Sequence, residues 1–365
     1  MPSTTSNSIP LVSADNEWSP LKAAIVGRAE HSAFPSEPAH MIAATMPEEH
    51  AHNFKPLHPF PADIVAKAQF ELDNLAVLLE SHGVRVYRPK SVDWLKAGGY
   101  TGAMPRDALM TVGTSVIESP FAWRCRRREV ELGYSDILSE LSRGAGPARI
   151  CRAPVIVGED TIYDGLLTHG KLPQSTDGTN GVKGHTWAIN NSRPAFDTAD
   201  FMRFGKTIIG QLSNVTNQRG VDYLRAMLPD GYAVEILNVT DEHAMHIDAT
   251  LLPLRHGLLV YNPERVTEEE LRRHAVFGDW QLVAYPFTPQ PREKNRPPMY
   301  MCSPWLVLNA LSIDEKRILV EQHDTQFADW VRDEFGMEPI LCPFENVNSL
   351  GGSFHCATVD LVRSA

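Results

Sequence analysis

The sequence predicts an α/β fold: one domain built from a strand–helix–strand module that recurs at least four times around a common axis. Two patterns predict it. In the first, apolar residues at helical spacing run into a glycine and then a short strand. Ile64, Ala68, Leu72, Leu75 and Leu79 precede Gly83 and a strand over 84–88. Val221, Leu224 and Leu228 precede Gly231 and 232–237; Leu271 and Ala275 precede Gly278 and 280–285; Phe327, Trp330 and Phe335 precede Gly336 and 339–341. In the second pattern an apolar strand stands ahead of each later helix, at 206–211, 257–261 and 317–321. The uneven spacing excludes a tight solenoid. A radial arrangement of such modules puts a site at the axis, fed by loops from different units.

Taken in order, residues 1–16 are rich in Ser, Thr and Pro and read as a disordered leader, leaving 17–365 as the domain. They lack the basic and apolar regions of a signal peptide and the arginines of a mitochondrial transit peptide. Residues 20–27 (PLKAAIVG) read as a buried strand, and the Pro/His-rich stretch from there to about Pro61 as loop. The helix over 62–81 is capped by Gly83, and Pro89 stops the strand that follows. DALMTVGTSVIES, from Asp107 to Ser119, reads as a hairpin turning near Gly113 and Thr114. From 133 to 198 the pattern lapses into Gly-, Asp- and Asn-rich sequence (Asp160, Asp164, Asp177, Asn180, Asn190, Asn191). That segment reads as an insertion or long loops over the site, a candidate lid. Thr267 to Glu270 reads as an N-capped helix start.

Composition narrows the function. The chain has 365 residues, 43% hydrophobic and 22% charged, ordinary values for a globular protein. A net charge of -11 argues against nucleic-acid binding, and the basic run Arg124, Arg126, Arg127, Arg128 reads as a solvated helix face. Five cysteines without CxxC spacing fit reduced thiols and a cytoplasmic location. No run approaches the roughly 18 apolar residues that span a bilayer.

Chemistry concentrates in a few stretches. Near the end, NSLGGSFHCAT places Cys356 after a Gly-Gly pair that lets backbone approach a ligand closely or take positive φ. The alternative is a buried structural cysteine, so a nucleophile needs partners elsewhere. PRD (105–107), FDTADF (196–201) and MHIDAT (245–250) bring acidic and imidazole groups to where loops meet the axis. His246 and Asp248, two apart, share a face in extended chain. Carboxylates and an imidazole facing a cysteine suit a planar cation such as a guanidinium, which pairs bidentately with carboxylates. Simpler readings stay open: Asp107 as a turn acceptor, Asp197 and Asp200 as turn caps, and His243, His246 and Asp248 as loosely spaced metal ligands without a partner cluster.

Jointly, MPRDALMTVGTSVIESPFAWRCR, FDTADFMRFGKTIIGQLSNVTNQRGVDYLR, MHIDATLLPL, YNPER, CSPWLVLNALSIDEKRI and NVNSLGGSFHCAT make the chain resemble the arginine-dependent amidinotransferases, from about Glu17 to Arg363. The resemblance implies a pentein-like fold, a five-module α/β-propeller of ββαβ units in pseudo-fivefold arrangement. It implies Cys356 as the nucleophile that takes the amidino group, His246 as general acid/base, and Asp200 as the residue that orients the histidine. Asp107 and Asp248 would hold the guanidinium, and Arg265 the donor's α-carboxylate. Met245, Cys302 and Ser303 would line the substrate pocket; family members often carry Ser-Ser where this chain has Cys302-Ser303. No cofactor and no metal are implied. The expected partners are arginine and an acceptor amine, with no nucleic acid, no membrane and a homodimer as the candidate assembly. Lysine or glycine ranks ahead of an inosamine phosphate as acceptor, because Asp241 and Glu242 precede the histidine motif and no phosphate cradle is evident. An arginine deiminase-like hydrolase using water is the competing reaction.

Overall fold

The computed structural model describes residues 11–45, 54–143, 146–162, 187–241, 243–289 and 292–364. Among these, fifteen strands form five separate three-stranded sheets. In chain order they are β1 (Leu21–Val26), β2 (Arg85–Tyr87), β3 (Leu109–Val112), β4 (Ser115–Glu118), β5 (Arg149–Cys151), β6 (Phe201–Phe204), β7 (Thr207–Gln211), β8 (Ala233–Leu237), β9 (Leu251–Arg255), β10 (Leu258–Tyr261), β11 (Gln281–Ala284), β12 (Leu311–Ser312), β13 (Arg317–Glu321), β14 (Glu338–Cys342) and β15 (Thr358–Arg363). The sheets are β15-β1-β2, β3-β4-β5, β6-β7-β8, β9-β10-β11 and β12-β13-β14. In each, the first pair is antiparallel and the second parallel.

The parallel pairs need a crossover, and a helix supplies it. Such helices include Ala62–Ser81 between β1 and β2, Ser135–Leu141 between β4 and β5, and Gln218–Met227 between β7 and β8. Glu268–Arg272 lies between β10 and β11, and Thr325–Phe335 between β13 and β14. The long helix buries Ile64, Ala68, Leu72, Leu75 and Leu79, the stripe its periodicity marks. Strands β3, β4, β6 and β15 are buried at every residue, and the charged side chains they carry, Glu118, Arg203, Asp360 and Arg363, are buried in ion pairs. The hairpin turns at Gly113 and Thr114 as expected. Thr267 caps its helix by accepting a hydrogen bond from the Glu270 N–H at 3.2 Å.

Three expectations change. Residues 11–16 are not a loose leader: Ser13 N–H donates to the Leu361 carbonyl and Ala14 N–H to the Gly113 carbonyl, and Val12 and Ala14 are buried. Residues 1–10 lie outside the described residues. The Pro/His-rich stretch holds a helix, Ala39–Thr45, whose Met41 and Thr45 are buried. The segment 133–198 is only partly an insertion, since Ser135–Leu141 and β5 complete the second sheet unit. Local composition hid both because tertiary packing, not propensity, sets short helices. Much of the remaining proposed lid, 163–186, lies outside the described residues. Among the described residues no helix is long and apolar enough to cross a membrane.

Candidate active site

Each functional side chain sits beside the segment leading into the first strand of a sheet unit. Asp107 lies in the turn Pro105–Ala108 before β3, which starts with proline at a helical N-terminus, where its missing N–H costs nothing. Asp197 precedes the turn Thr198–Asp200 before β6 and Asp200 ends it. His246 precedes the turn Ile247–Ala249 before β9 and Asp248 lies within it. Cys302, Ser303 and Asn309 bracket the turn Pro304–Leu308 before β12, and Cys356 stands two residues before β15.

Cys356 is buried, and its Sγ donates to Asp248 Oδ2 at 3.2 Å and accepts from Asn309 Nδ2 at 3.1 Å. Asn309 also takes the Cys356 and Ser353 N–H groups on its Oδ1, so one side chain fixes the loop and the sulfur. Both glycines are demanded by this approach. Gly351 has φ +126, and a Cβ there would lie 2.2 Å from the Tyr100 hydroxyl oxygen. A Cβ on Gly352 would lie 2.5 Å from Cys356 Cβ and 3.0 Å from its Sγ. Burial pushes the Cys356 thiol well above its ordinary value, and the Asp248 and Asp107 carboxylates push the same way. Both effects favour the protonated thiol.

Ligand atoms of Asp107, His246 and Cys356 lie within 4.8 Å of one another. The His246 ring meets Asp197 Oδ2 through Nε2 at 3.0 Å and Asp107 Oδ1 through Nδ1 at 3.6 Å. The orienting carboxylate expected from sequence was Asp200. Its Oδ1 instead accepts the His246 main-chain N–H at 2.9 Å, while Gln211, Ser213 and Thr216 saturate it. Asp197, ahead of the turn in extended backbone, is the one of the two whose carboxylate reaches the ring. His246 itself has φ +66 and ψ 123, a sparsely populated conformation for a residue with a Cβ. Burial opposes its charge, but Asp107 and then Asp197 carry its pKa up to about 10. Burial lifts the Asp200 carboxyl to about 6. His243 stands apart, with Nδ1 3.2 Å from the Ala44 carbonyl.

Arg126, from the run read as a solvated face, is buried behind these carboxylates. It donates to Glu129 through Nε and Nη2 at 2.8 and 2.9 Å and to Asp107 Oδ2 at 2.8 Å. Its guanidinium lies 4.5 Å from the centroid of the Phe121 ring. Arg124, paired with Asp160, and Arg128, paired with Glu131, are exposed and fit the expected surface role.

A cavity of about 1110 Å³ opens onto Cys356, His246 and Asp248 and is lined also by Met245, Arg265, Cys302 and Ser303. Ile42, Thr45 and Phe54 also line it. Among the described residues of 133–198, none lines it. Arg265 donates Nε to Asp241 at 2.8 Å, and its Nη1 is buried without a partner. Asp241 is thus engaged by Arg265 and by the His243 N–H, and is no free anion for an acceptor. Glu242 lies outside the described residues. Asp107 Oδ1 is likewise buried without a hydrogen bond.

No family model matches the sequence. Known proteins do. The chain is 38% identical over 357 residues to the L-arginine:L-lysine amidinotransferase of Pseudomonas savastanoi pv. phaseolicola, covering 95% of this chain and 93% of that one. It is 33% identical to the mitochondrial glycine amidinotransferase of Danio rerio, covering 100% and 85%. Among solved structures, the amidinotransferase of Microseira wollei from the saxitoxin biosynthetic pathway superposes with a TM-score of 0.79 at 32% identity, covering 97% and 98%. A dimethylarginine dimethylaminohydrolase, at 13% identity and TM-score 0.55, shares only the pentein fold. The chain belongs to the amidinotransferase family.

Proposed function

We propose that this enzyme moves the amidino group of arginine to an acceptor amine through a covalent intermediate on Cys356. One observation carries the reading: a single buried sulfur lies within 4.8 Å of an imidazole and a carboxylate, at the foot of a cavity that also holds an unpaired guanidinium nitrogen. Arginine fits both ends. Its guanidinium satisfies Asp107 and Asp248, and its α-carboxylate meets Arg265 Nη1. The bound cation offsets the carboxylates that hold the thiol protonated, so once substrate is present the thiol releases its proton to bulk water through the cavity, and the sulfur takes one back when the cycle closes. Sulfur then bonds to the guanidinium carbon, the bond from carbon to the δ-nitrogen breaks, and imidazolium His246 gives its proton to the leaving ornithine. The acceptor amine attacks the same carbon, returns a proton to His246 and frees the sulfur. Asp197 holds the ring and Asp200 the backbone of His246. The five like sheet units fit a five-module α/β-propeller around this site.

Lysine is the favoured acceptor, with glycine next. Support comes from similarity to an enzyme named for arginine and lysine, not from Asp241, whose charge is spent on Arg265. Incubating the enzyme with arginine and a panel of amines, with products read by mass spectrometry, tests the proposal. Ornithine should appear only with an amine present, and Cys356→Ser should cut its release at least about a thousandfold. Citrulline and ammonia from arginine alone would instead identify a hydrolase.

A further inference from the structure

His355, beside the nucleophile, has no place in the reaction as described. It is 4% exposed, and its ring lies between two carboxylates. Nδ1 is 2.8 Å from Asp248 Oδ2, and Nε2 is 3.3 Å from Glu17 Oε2. Two carboxylate acceptors require two ring N–H donors, which only the imidazolium has. Asp248 Oδ2 is therefore shared: it accepts from His355 and from the Cys356 thiol. When the thiol ionises, its sulfur carries a negative charge 3.2 Å from that oxygen. The pair is tolerable only if a cation already compensates the carboxylate.

The surroundings are built to supply it. Glu17 is gripped by Arg203 through Nε and Nη2 at 2.7 and 2.6 Å. Asp360 takes Arg203, Arg106 and Arg363. In this buried group three carboxylates (Glu17, Asp248, Asp360) face four cations (His355, Arg106, Arg203, Arg363), leaving one positive charge over. A thiolate on Cys356 balances it. Across the cleft the balance is reversed, since Asp107, Asp197, Asp200 and Glu129 outnumber Arg126 and His246. Arg106 also donates Nε to the His355 and Thr358 carbonyls, so the loop cannot swing the ring away.

We propose that His355 is a positioning residue for amidino transfer: clamped by Glu17, its imidazolium fixes Asp248 and provides the charge against which Cys356 ionises. The inference rests on the amidinotransferase reading of the site. The groups facing the ring are Asp248, Glu17 and Arg106, with Cys356 next in sequence and Arg203 and Asp360 behind Glu17.

The test uses Glu17→Gln and His355→Asn in the full chain, with folding checked by thermal melting. Glu17→Gln keeps a hydrogen-bond acceptor for Nε2 but removes the charge that holds the ring protonated. The alkaline limb of kcat/KM should then move to lower pH by about one unit, with the rate at the acid end largely kept. His355→Asn retains a donor toward Asp248 without charge, and kcat/KM should fall roughly tenfold or more at every pH. In both variants iodoacetamide labelling of Cys356, mapped by mass spectrometry, should shift to higher pH. A Glu17→Gln profile superimposable on wild type, His355→Asn within twofold of wild type, or unshifted labelling curves overturns the proposal. Should either variant not fold, the other decides it. If the unaltered enzyme released no ornithine with any amine, the functional reading would fail, and the labelling curves would still test His355.

Discussion

At the scale of the residue, the site depends on which of two aspartates reaches the histidine. Asp197 alone touches the His246 ring from the FDTAD stretch. Asp197→Asn should therefore cut kcat by roughly a hundredfold or more with a smaller change in KM for arginine, because it disturbs the orientation and charge of the acid/base. Asp200→Asn should act more on stability, since its carboxyl anchors main chain and three polar side chains. Steady-state kinetics and thermal melts on both variants check the split. That Cys356, His246, Asp107 and Asp248 come together was legible because short motifs carried them. The choice between Asp197 and Asp200 was not, because it turns on the direction of side chains within one helical turn. Arg126, Asn309, His355 and Glu17 were missed for another reason: their roles arise from contacts across the chain, such as the 338 positions between Glu17 and His355. The only signal was their presence inside or beside the quoted motifs.

At the scale of the element, the loop between the helix Glu345–Ser349 and β15 is shaped by exclusion of side chains. Gly352→Ala would set a methyl against Cys356 and the Met104 sulfur, which lies 2.7 Å from the added carbon. Overpacking of this kind costs about 1–3 kcal/mol. The expected outcome is a lowered melting temperature together with loss of activity, measured by calorimetry and ornithine release; unchanged activity would mean that the loop can shift without moving the sulfur. The elements that the sequence displayed best were those ended by glycine, such as the helix Ala62–Ser81 before Gly83 and Thr325–Phe335 before Gly336. Both glycines adopt positive φ, so residue type and geometry agree. The helices Ala39–Thr45 and Ser135–Leu141 escaped because each is two turns or less, and a short helix gains its stability from what it packs against.

At the scale of the whole molecule, buried ionisable groups set a pH dependence. His246 titrates near 10 in the fold, above its ordinary 6.5, so its contribution to stability is complete below about pH 6.5 and is lost as pH rises toward 10. Burial raises Asp200 to about 6 and Glu129 to about 7, so stability falls as pH climbs from about 4, where these groups ionise in the unfolded chain, up to those values. Both effects have one sign, and the melting temperature should decline between about pH 6 and pH 10. His246→Asn should flatten the upper part of that decline in thermal melts; an unaltered slope would place the titrating group elsewhere.

The meeting of Glu17 with His355, and of β1 with β15, has a consequence for how the protein comes into being. The first described residues and the last strand are laid side by side beneath the sulfur. During synthesis the early part of the chain must wait for the C-terminal segment to leave the ribosome before the reactive centre exists. A nascent or clipped chain lacking either end therefore lacks the Glu17–His355 contact and the β1–β15 pairing that flank Cys356.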